Sequence, residues 1–499
     1  MHSYKFSTIL FFLSVVACSI SAASHKSLVN RYAFSDDYLD SLNKVMLSEK
    51  PHYFSLPTSI TLPNHPFFEF DYKHKKLTSD LYSILSYENN AGEHLPNIFL
   101  GSVISYQSPH LRGEIQFDAH TTYMHTPENL ADSLDDVRFE QHRTTYDHIS
   151  GTGNNKDFNF QHGYLEFSID NISLLSGKYP LRWGPGYKGT LGLSGTSYNP
   201  LYYYLLQADI AQTVHASAFL SSFDDSYLFV NDTAPNADRF CAGQRLDVKI
   251  GKHVQLGFYE FVNFNGTALL SRYANPIQLY YISNHLSNDL VIEKRNNIMG
   301  GLDFNILAGP LRFYGDFLND DITVFDDNGS PNKFGFQAGG TYYGSSYLKE
   351  VGVEYTHVSR WTYGHWAPGL NRYTYFNESR GWPWGNDMDL WHLRARFNLP
   401  KNIRLHTEIN WWIKGEGTLT EYHWDIPDSI RPDLDNVGGM VEYGSDSHLV
   451  SFRVGASWRP MHWIDCEILW LPVAGKGTME NRIRVTTILW LPTVYKREL

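Results

Sequence analysis

Apolar and polar side chains alternate along nine stretches between residues 301 and 492. In one of them Trp391, Leu393, Ala395, Phe397 and Leu399 are separated by His392, Arg394, Arg396 and Asn398. In the next, Ile403, Leu405, Ile409, Trp411 and Ile413 oppose Arg404, His406, Glu408 and Asn410. A third sets Val450, Phe452, Val454, Ala456 and Trp458 against Ser451, Arg453, Gly455, Ser457 and Arg459. A period of two is that of a β-strand, and strands with one apolar and one charged face suit a wall between lipid and a polar lumen. The expected fold is all-β, a transmembrane antiparallel β-barrel.

The links between these stretches carry a second signal. Residues 308–310, 400–402 and 460–462 read as tight turns, whereas residues 320–333, 362–388, 415–447 and 473–481 read as longer links rich in Gly, Asp and Asn. Outer-membrane barrels have short periplasmic turns and long outer loops, so counting back from a periplasmic C-terminus tests the parity, which holds through all nine stretches. Trp411, Trp412 and Trp470 fall near loop ends and Trp458 and Trp463 near a turn, as two interfacial girdles would require. Ordinary core packing is the alternative for any one of them.

Upstream, Ile115, Phe117, Ala119, Thr121 and Tyr123 alternate with Glu114, Gln116, Asp118 and His120, and residues 126–156 follow as a polar loop. A barrel starting near Asn97, at about 22 residues per strand and link, needs about 18 strands, an even number between about 16 and 20. Residues 24–95 read differently. Tyr38, Leu42, Val45 and Met46, and then Leu77, Leu81 and Leu85, have helix-like spacing, with prolines between residues 51 and 66 breaking any continuous element. The expected organisation is a signal peptide at 1–23, a short partly helical periplasmic or plug segment at 24–95, and the barrel at 96–499. Lys5, the apolar run from Ile9 to Ala17 and the small residues Ser21 to Ala23 carry the signal-peptide reading; lipidation of Cys18 is the alternative there.

Composition narrows the functions open to such a barrel. No run of eighteen apolar residues follows the amino terminus and mean hydropathy is −0.35, so strands and not helices must cross the membrane. A formal charge of −12 argues against a general nucleic-acid binder. Cys241 and Cys466 remain after signal removal; Cys466 falls on the lipid phase and reads as a small apolar residue. Asp320, Asp321, Asp326 and Asp327 lack a twelve-residue calcium-loop pattern and read as a solvated loop, so no metal or cofactor is expected. No Ser or Asp nucleophile stands out with a His on one barrel face, and catalysis is not expected.

Three groups are candidates for binding. Arg394, Arg396, Arg404, Arg453, Arg459, Arg482 and Arg484 share the polar phase of the C-terminal strands, where guanidinium forks suit acidic sugars or, alternatively, a ladder of lumen salt bridges. In Arg182-Trp183-Gly184-Pro185-Gly186 the glycines permit a sharp turn, Trp183 offers a flat apolar face and Arg182 a planar donor; the alternative is a loop that folds inward and closes the channel. Trp361, Tyr363, His365, Trp366, Tyr373, Tyr375, Trp382 and Trp384 crowd one outer loop, where exposed rings would stack on sugars.

Several segments, in order, resemble the Wzi-type capsule-assembly family of outer-membrane proteins. They are Gly177-Lys178-Tyr179 with Arg182 to Gly186 and Leu193-Ser194, then Gln244-Arg245-Leu246-Asp247, Tyr273-Ala274-Asn275-Pro276, Asn296-Asn297 with Met299 and Gly301 to Phe304, Tyr314 to Phe317 with Asp320-Asp321, and Gly381 through Asp389. The resemblance would place His and Glu where Gln244 and Asp247 stand, and a second Gly-Pro between Trp382 and Asp389. It implies a monomeric, lectin-like barrel in outer-membrane lipid that helps assemble or retain surface or capsular polysaccharide, with the polysaccharide export machinery as a further partner. A porin, or a phospholipase-type barrel enzyme, is the alternative of another class.

Overall fold

The computed structural model describes residues 68–498 apart from 91–92, 124–147, 151–154, 180, 195–200, 224–237, 283–295, 322–331, 345–346, 366–370, 376–377, 416, 420–446, 462–463, 476–477 and 491–494. The expected signal peptide, Cys18 and the helix-like stretch at 36–48 lie outside the described residues. Short β1 (Phe68–Tyr72) precedes β2 (Lys75–Asn90), β3 (Glu93–Gln107) and β4 (Leu111–Tyr123). After the three-residue β5 (His148–Ser150) come β6 (Asn155–Ile169), β7 (Ile172–Lys178), β8 (Tyr202–Ala211), β9 (Val214–Phe223), β10 (Arg239–Ile250) and β11 (Val254–Asn265). Then follow β12 (Asn297–Ala308), β13 (Leu311–Asp321), β14 (Lys333–Tyr343), β15 (Leu348–Val358), and the two-residue β16 (Thr374–Tyr375) and β17 (Glu378–Ser379). The last are β18 (Met388–Leu399), β19 (Ile403–Lys414), β20 (Ser447–Met461), β21 (Ile464–Gly475), β22 (Thr478–Trp490) and β23 (Tyr495–Glu498).

Eighteen long strands, β2 to β4, β6 to β15 and β18 to β22, each pair antiparallel with the next. Strand β22 pairs with β2, from Tyr82 opposite Trp490 to Asn90 opposite Arg482, so the sheet closes on itself. Closure removes every edge, which a sheet in hydrocarbon requires because no water is present to satisfy free backbone groups. Strand β1 joins the seam between β2 and β23.

The stretch from Lys76 to Ser86, read above as helical, is part of β2. The reason is arithmetic: a spacing of four keeps Leu77, Leu81 and Leu85 on one face of a helix and equally on one face of a strand. On that phase Leu85 and Tyr87 are exposed, while Asp80 and Tyr82 face the lumen and are buried. The barrel therefore begins at Lys75 and not near Asn97, and the boundary expected after residue 95 falls inside β3. Residues 473–481 also differ from expectation. They are mostly strand, with β21 and β22 separated only by residues 476–477. Polar strand ends that rise beyond the apolar belt look like loop in the sequence.

The two faces follow the alternation. Trp391, Leu393, Trp411, Val454, Trp458 and Trp470 are exposed on the lipid face, and His392, Arg394, Glu408, Asn410 and Ser451 are buried inside. Trp412, expected in a girdle, faces inward and packs on Trp384. Neighbours in a strand point to opposite faces, so only one of Trp411 and Trp412 can reach lipid.

Candidate functional site: a strap across the lumen

Between β7 and β8 the described residues of segment 179–194 run through the barrel interior. Leu181, Arg182, Trp183, Leu191 and Leu193 are buried there. Strand β7 is the fifth wall strand and β19 the fifteenth in barrel order, so Lys188, which reaches Glu408 of β19 at 2.5 Å, touches the nearly opposite wall.

A chain without ladder partners must find others for its backbone groups. Glu354 of β15 accepts from Tyr187 N at 2.5 Å, Lys188 N at 3.1 Å and the Tyr314 hydroxyl at 2.6 Å. Leu191 N donates to Asp316 Oδ2 at 3.1 Å, and Asp316 Oδ1 accepts from the Tyr259 hydroxyl at 2.6 Å. Arg312 Nη2 donates to Pro185 O at 2.7 Å, and Arg182 Nη2 donates to the carbonyls of Gly186 and Gly189. Trp183 N donates to Leu193 O at 2.8 Å, pinning the strap's two limbs together. Gly184 has φ of 130°, a region other residues avoid, and a Cβ on Gly186 would sit 1.8 Å from Gln337 Oε1.

Aromatic packing fills what the polar contacts leave. Trp183 meets Phe219 edge-on and stacks on Phe261, with centroids 5.2 and 5.3 Å apart. Tyr187 stacks on His392 at 5.3 Å, and the Arg394 guanidinium lies 3.7 Å from its ring centroid. From the end with the long links, the described residues of segment 359–387 cap the strap. The Tyr363 hydroxyl donates to Leu191 O at 2.9 Å and accepts from Trp382 N at 3.0 Å, while Ser194 N donates to Arg380 O. Trp361 and Tyr363 adopt positive φ values of 67° and 70°, strained for aromatic residues and held here by burial. Burial also pushes the His365 imidazole down to about 3, helped by the charge of Lys333.

This geometry corrects the expectation of an exposed aromatic cluster. Trp361, Tyr363 and Trp382 are buried to within about one per cent. Trp384 is half-buried against Trp382 and Trp412, and Trp366 lies outside the described residues. Polar residues flank these rings in sequence whether the loop turns inward or outward, so spacing alone could not decide. Arg182 and Trp183 are brought together with Trp382 and Tyr363, as parts of one packed interior.

The basic ladder divides. Arg394 Nε donates to Glu350 Oε1 at 2.5 Å and its Nη2 to Thr341 Oγ1 at 2.7 Å; Arg396 Nε donates to the other oxygen of Glu350 at 2.8 Å. Those two are wall salt bridges. Arg453 stands across the ladder from Glu408, and Arg404 and Arg459 are half-buried. Arg482 and Arg484 pair in register with Leu471 and Leu469. Of the loop carboxylates, Asp320 accepts from Tyr363 N at 2.7 Å and Asp321 from Lys333 at 3.2 Å, while Asp326 and Asp327 lie outside the described residues. Among the described residues no three His, Cys, Asp or Glu side chains converge as a metal site.

Of the residues that hold the strap, Lys188, Arg312 and Glu354 were not singled out in the sequence, while Asp316 stood in the resembling segment Tyr314 to Phe317 and Glu408 on the polar phase of its stretch, neither of them as an anchor. The four wall residues occupy the polar phase of their strands, and acids on that phase were the available signal. Arg245, quoted in the resembling segment Gln244 to Asp247, is bonded to Asp247 and Asp303 on the lumen side of the wall.

No curated relative matches the sequence. Among solved structures, Wzi of Escherichia coli, an outer-membrane protein involved in group 1 capsule assembly and a carbohydrate-binding β-barrel, is similar with a TM-score of 0.50. It is 13% identical, with 84% of this chain and 85% of that one covered. OprD of Pseudomonas aeruginosa (11% identical, TM-score 0.44, 84% and 96% covered) and OccAB4 of Acinetobacter baumannii (10%, 0.46, 84% and 98%) also match. At such identities the likeness to Wzi shows the barrel fold alone. The sequence itself matches the family described as Capsule assembly protein Wzi over residues 86–455, which is most of its length, and the chain belongs to that family.

Proposed function

We propose that this protein is an outer-membrane, lectin-like barrel that helps assemble or retain surface polysaccharide, without catalysis. The observation that carries this reading is the strap. A lumen crossed by a segment bonded to both walls is a poor path for solutes and a rigid base for an outer face. Family membership supplies the ligand class. Among the described residues the half-buried Trp384, tilted against Trp382 and edge-on to Trp412, is the sugar-stacking candidate of the loop's tryptophans that keeps some exposure. Arg182, Trp183, Trp361, Tyr363 and Trp382 support that face from below. A partner in the export machinery fits the same reading.

Glycan-array binding by the purified protein, with planar-bilayer conductance measured in parallel, tests it. Polysaccharide affinity without a steady current is the expected result. A steady open pore with no glycan affinity overturns the reading in favour of a porin.

A further inference from the structure

Residues 266–282 leave β11 and return along the outside of the barrel. Phe258 belongs to the exposed lipid-facing row of β11, and Glu260, Val262 and Phe264 continue that row toward the end with the long links. Yet Val262 and Phe264 are fully buried, as is Ala242 of β10, because Tyr273 and Tyr280 of the returning segment lie on them. Tyr273 packs on Phe264 with centroids 4.8 Å apart and meets Tyr280 edge-on at 5.6 Å. Two polar side chains of the lipid-facing rows tie the segment down. Gln244 Nε2 donates to Glu260 Oε2 and to Gln278 O, both at 2.8 Å, and Tyr281 N donates to Glu260 Oε1 at 2.5 Å.

Thr267, Ser271 and Asn275 are exposed in the first half of this flap, but from Pro276 onward its exposed side chains are apolar. Ile277, Leu279, Tyr281 and Ile282 are all exposed, Ile277 at 75%. Beside the flap, Leu270 and the wall of β7 to β10 border an open groove of about 460 Å³, with Tyr202, Tyr204, Leu220, Ser222 and Phe240 in its lining. That volume lies within the range of small-ligand pockets, about 300–1,000 Å³.

Register sets the level of both features. Gln244 stands opposite Ala218, which stands opposite Leu206, and Leu206 is exposed in the apolar belt. Leu246 and Phe258, the next residues of the lipid-facing rows, continue the belt directly beneath the flap. The flap and groove are thus continuous with the surface the barrel presents to lipid. A contiguous apolar face is costly in water and at home in hydrocarbon.

We infer that residues 266–282 form a flap lying in the outer leaflet, and that the groove between it and strands β7 to β10 seats an acyl chain of an outer-leaflet lipid. The inference does not depend on the polysaccharide reading.

Two measurements test it. A bimane probe on Leu279→Cys, in a Cys466→Ala background, is reconstituted into phosphatidylcholine vesicles with brominated acyl chains. Phe258→Cys reports the belt and Lys401→Cys the turn at the far aqueous end. Quenching at Leu279 matches Phe258 and is several-fold stronger than at Lys401; quenching no stronger than at Lys401 overturns the flap's placement. For the groove, native mass spectrometry of the detergent-purified protein shows a retained acyl lipid that Ser222→Trp loses while the barrel stays heat-modifiable. Absence of retained lipid in the parent protein, or equal retention in the variant, overturns the seat.

Discussion

Two segments leave the barrel wall and fold back on it, and they are held by opposite chemistry. The strap inside is docked by charge: Glu354 on its amides, Arg312 on a carbonyl and Lys188 on Glu408. The flap outside is docked by Tyr273 and Tyr280 on an apolar wall, with Gln244 and Glu260 as its polar ties. What lies behind each segment explains the contrast. In the lumen the polar phases of β13, β15 and β19 supply partners, so buried charges survive because they are paired. On the lipid side no polar row stands behind the segment, and the two polar groups that do, Gln244 and Glu260, are matched by each other and by the flap's own backbone.

The comparison breaks most visibly if the strap is removed. Replacing residues 181–193 by a Gly-Ser link leaves the wall ladder intact, including the β2–β22 seam. The expected outcome is a folded, heat-modifiable barrel that conducts steadily in planar bilayers where the parent does not. Unchanged conductance would mean that the strap is not what closes the lumen.

Glu354→Ala is the next largest perturbation. It strands two strap amides and the Tyr314 hydroxyl in a buried site and leaves Arg394 with one fewer counter-charge nearby. Loss of about 3–5 kcal/mol is expected, by the cost of breaking a buried charged contact. A lowered temperature of gel-mobility shift, together with bursts of current, is the readout; Glu354→Gln, which retains an acceptor oxygen, recovers part of both.

Much of the wall was legible in the sequence because alternation needs only parity. The nine C-terminal strands follow from it, whereas the total of about eighteen came from chain length per strand and link, and β2 was hidden by a spacing of four that fits helix and strand alike. The strap was half legible. Arg182 to Gly186 announced a tight turn, with inward folding as one of two readings, but its anchors are scattered over β13, β15 and β19. Non-local pairing of this kind leaves no mark in local pattern. Trp361, Tyr363 and Trp382 were legible as a cluster but not as an interior, since aromatic density reports a need for contact and not its direction. The flap lay in the motif from Tyr273 to Pro276, and its outside placement is fixed by Gln244 and Glu260, polar residues on an apolar phase.

Lys188→Ala sharpens the account of strap charge. Glu408 loses its lysine yet still faces Arg394 and Arg453 across its two ladders. The carboxylate is not abandoned, so the expected cost is about 1–3 kcal/mol, nearer a charged hydrogen bond than a stranded buried ion. A shift as large as that of Glu354→Ala would show that Lys188 carries the docking. The outer loop adds a pH dependence. His365 is held neutral, pushed down to about 3, whereas an unfolded His titrates near about 6.5. Its contribution is complete above that value and is lost progressively as pH falls toward about 3, at no more than about 1.4 kcal/mol per pH unit. Proteolysis within residues 359–387 should therefore quicken between pH 7 and pH 5, and His365→Leu should flatten that part of the profile.

The smallest effect belongs to the flap. Gln244→Ala removes two hydrogen bonds, to Glu260 and to the Gln278 carbonyl, while Tyr281 N still reaches Glu260 and the Tyr273 and Tyr280 rings stay on the wall. A loss of about 1–2 kcal/mol confined to the flap is expected, since each bond contributes roughly 0.5–1.5 kcal/mol net. Faster amide exchange over residues 274–282, with conductance and gel-mobility temperature unchanged, is the result that keeps the two segments independent. If Gln244→Ala lowers the barrel's gel-mobility temperature as far as Glu354→Ala, the flap is a brace of the wall and not a separate surface, and the contrast between inside and outside docking fails.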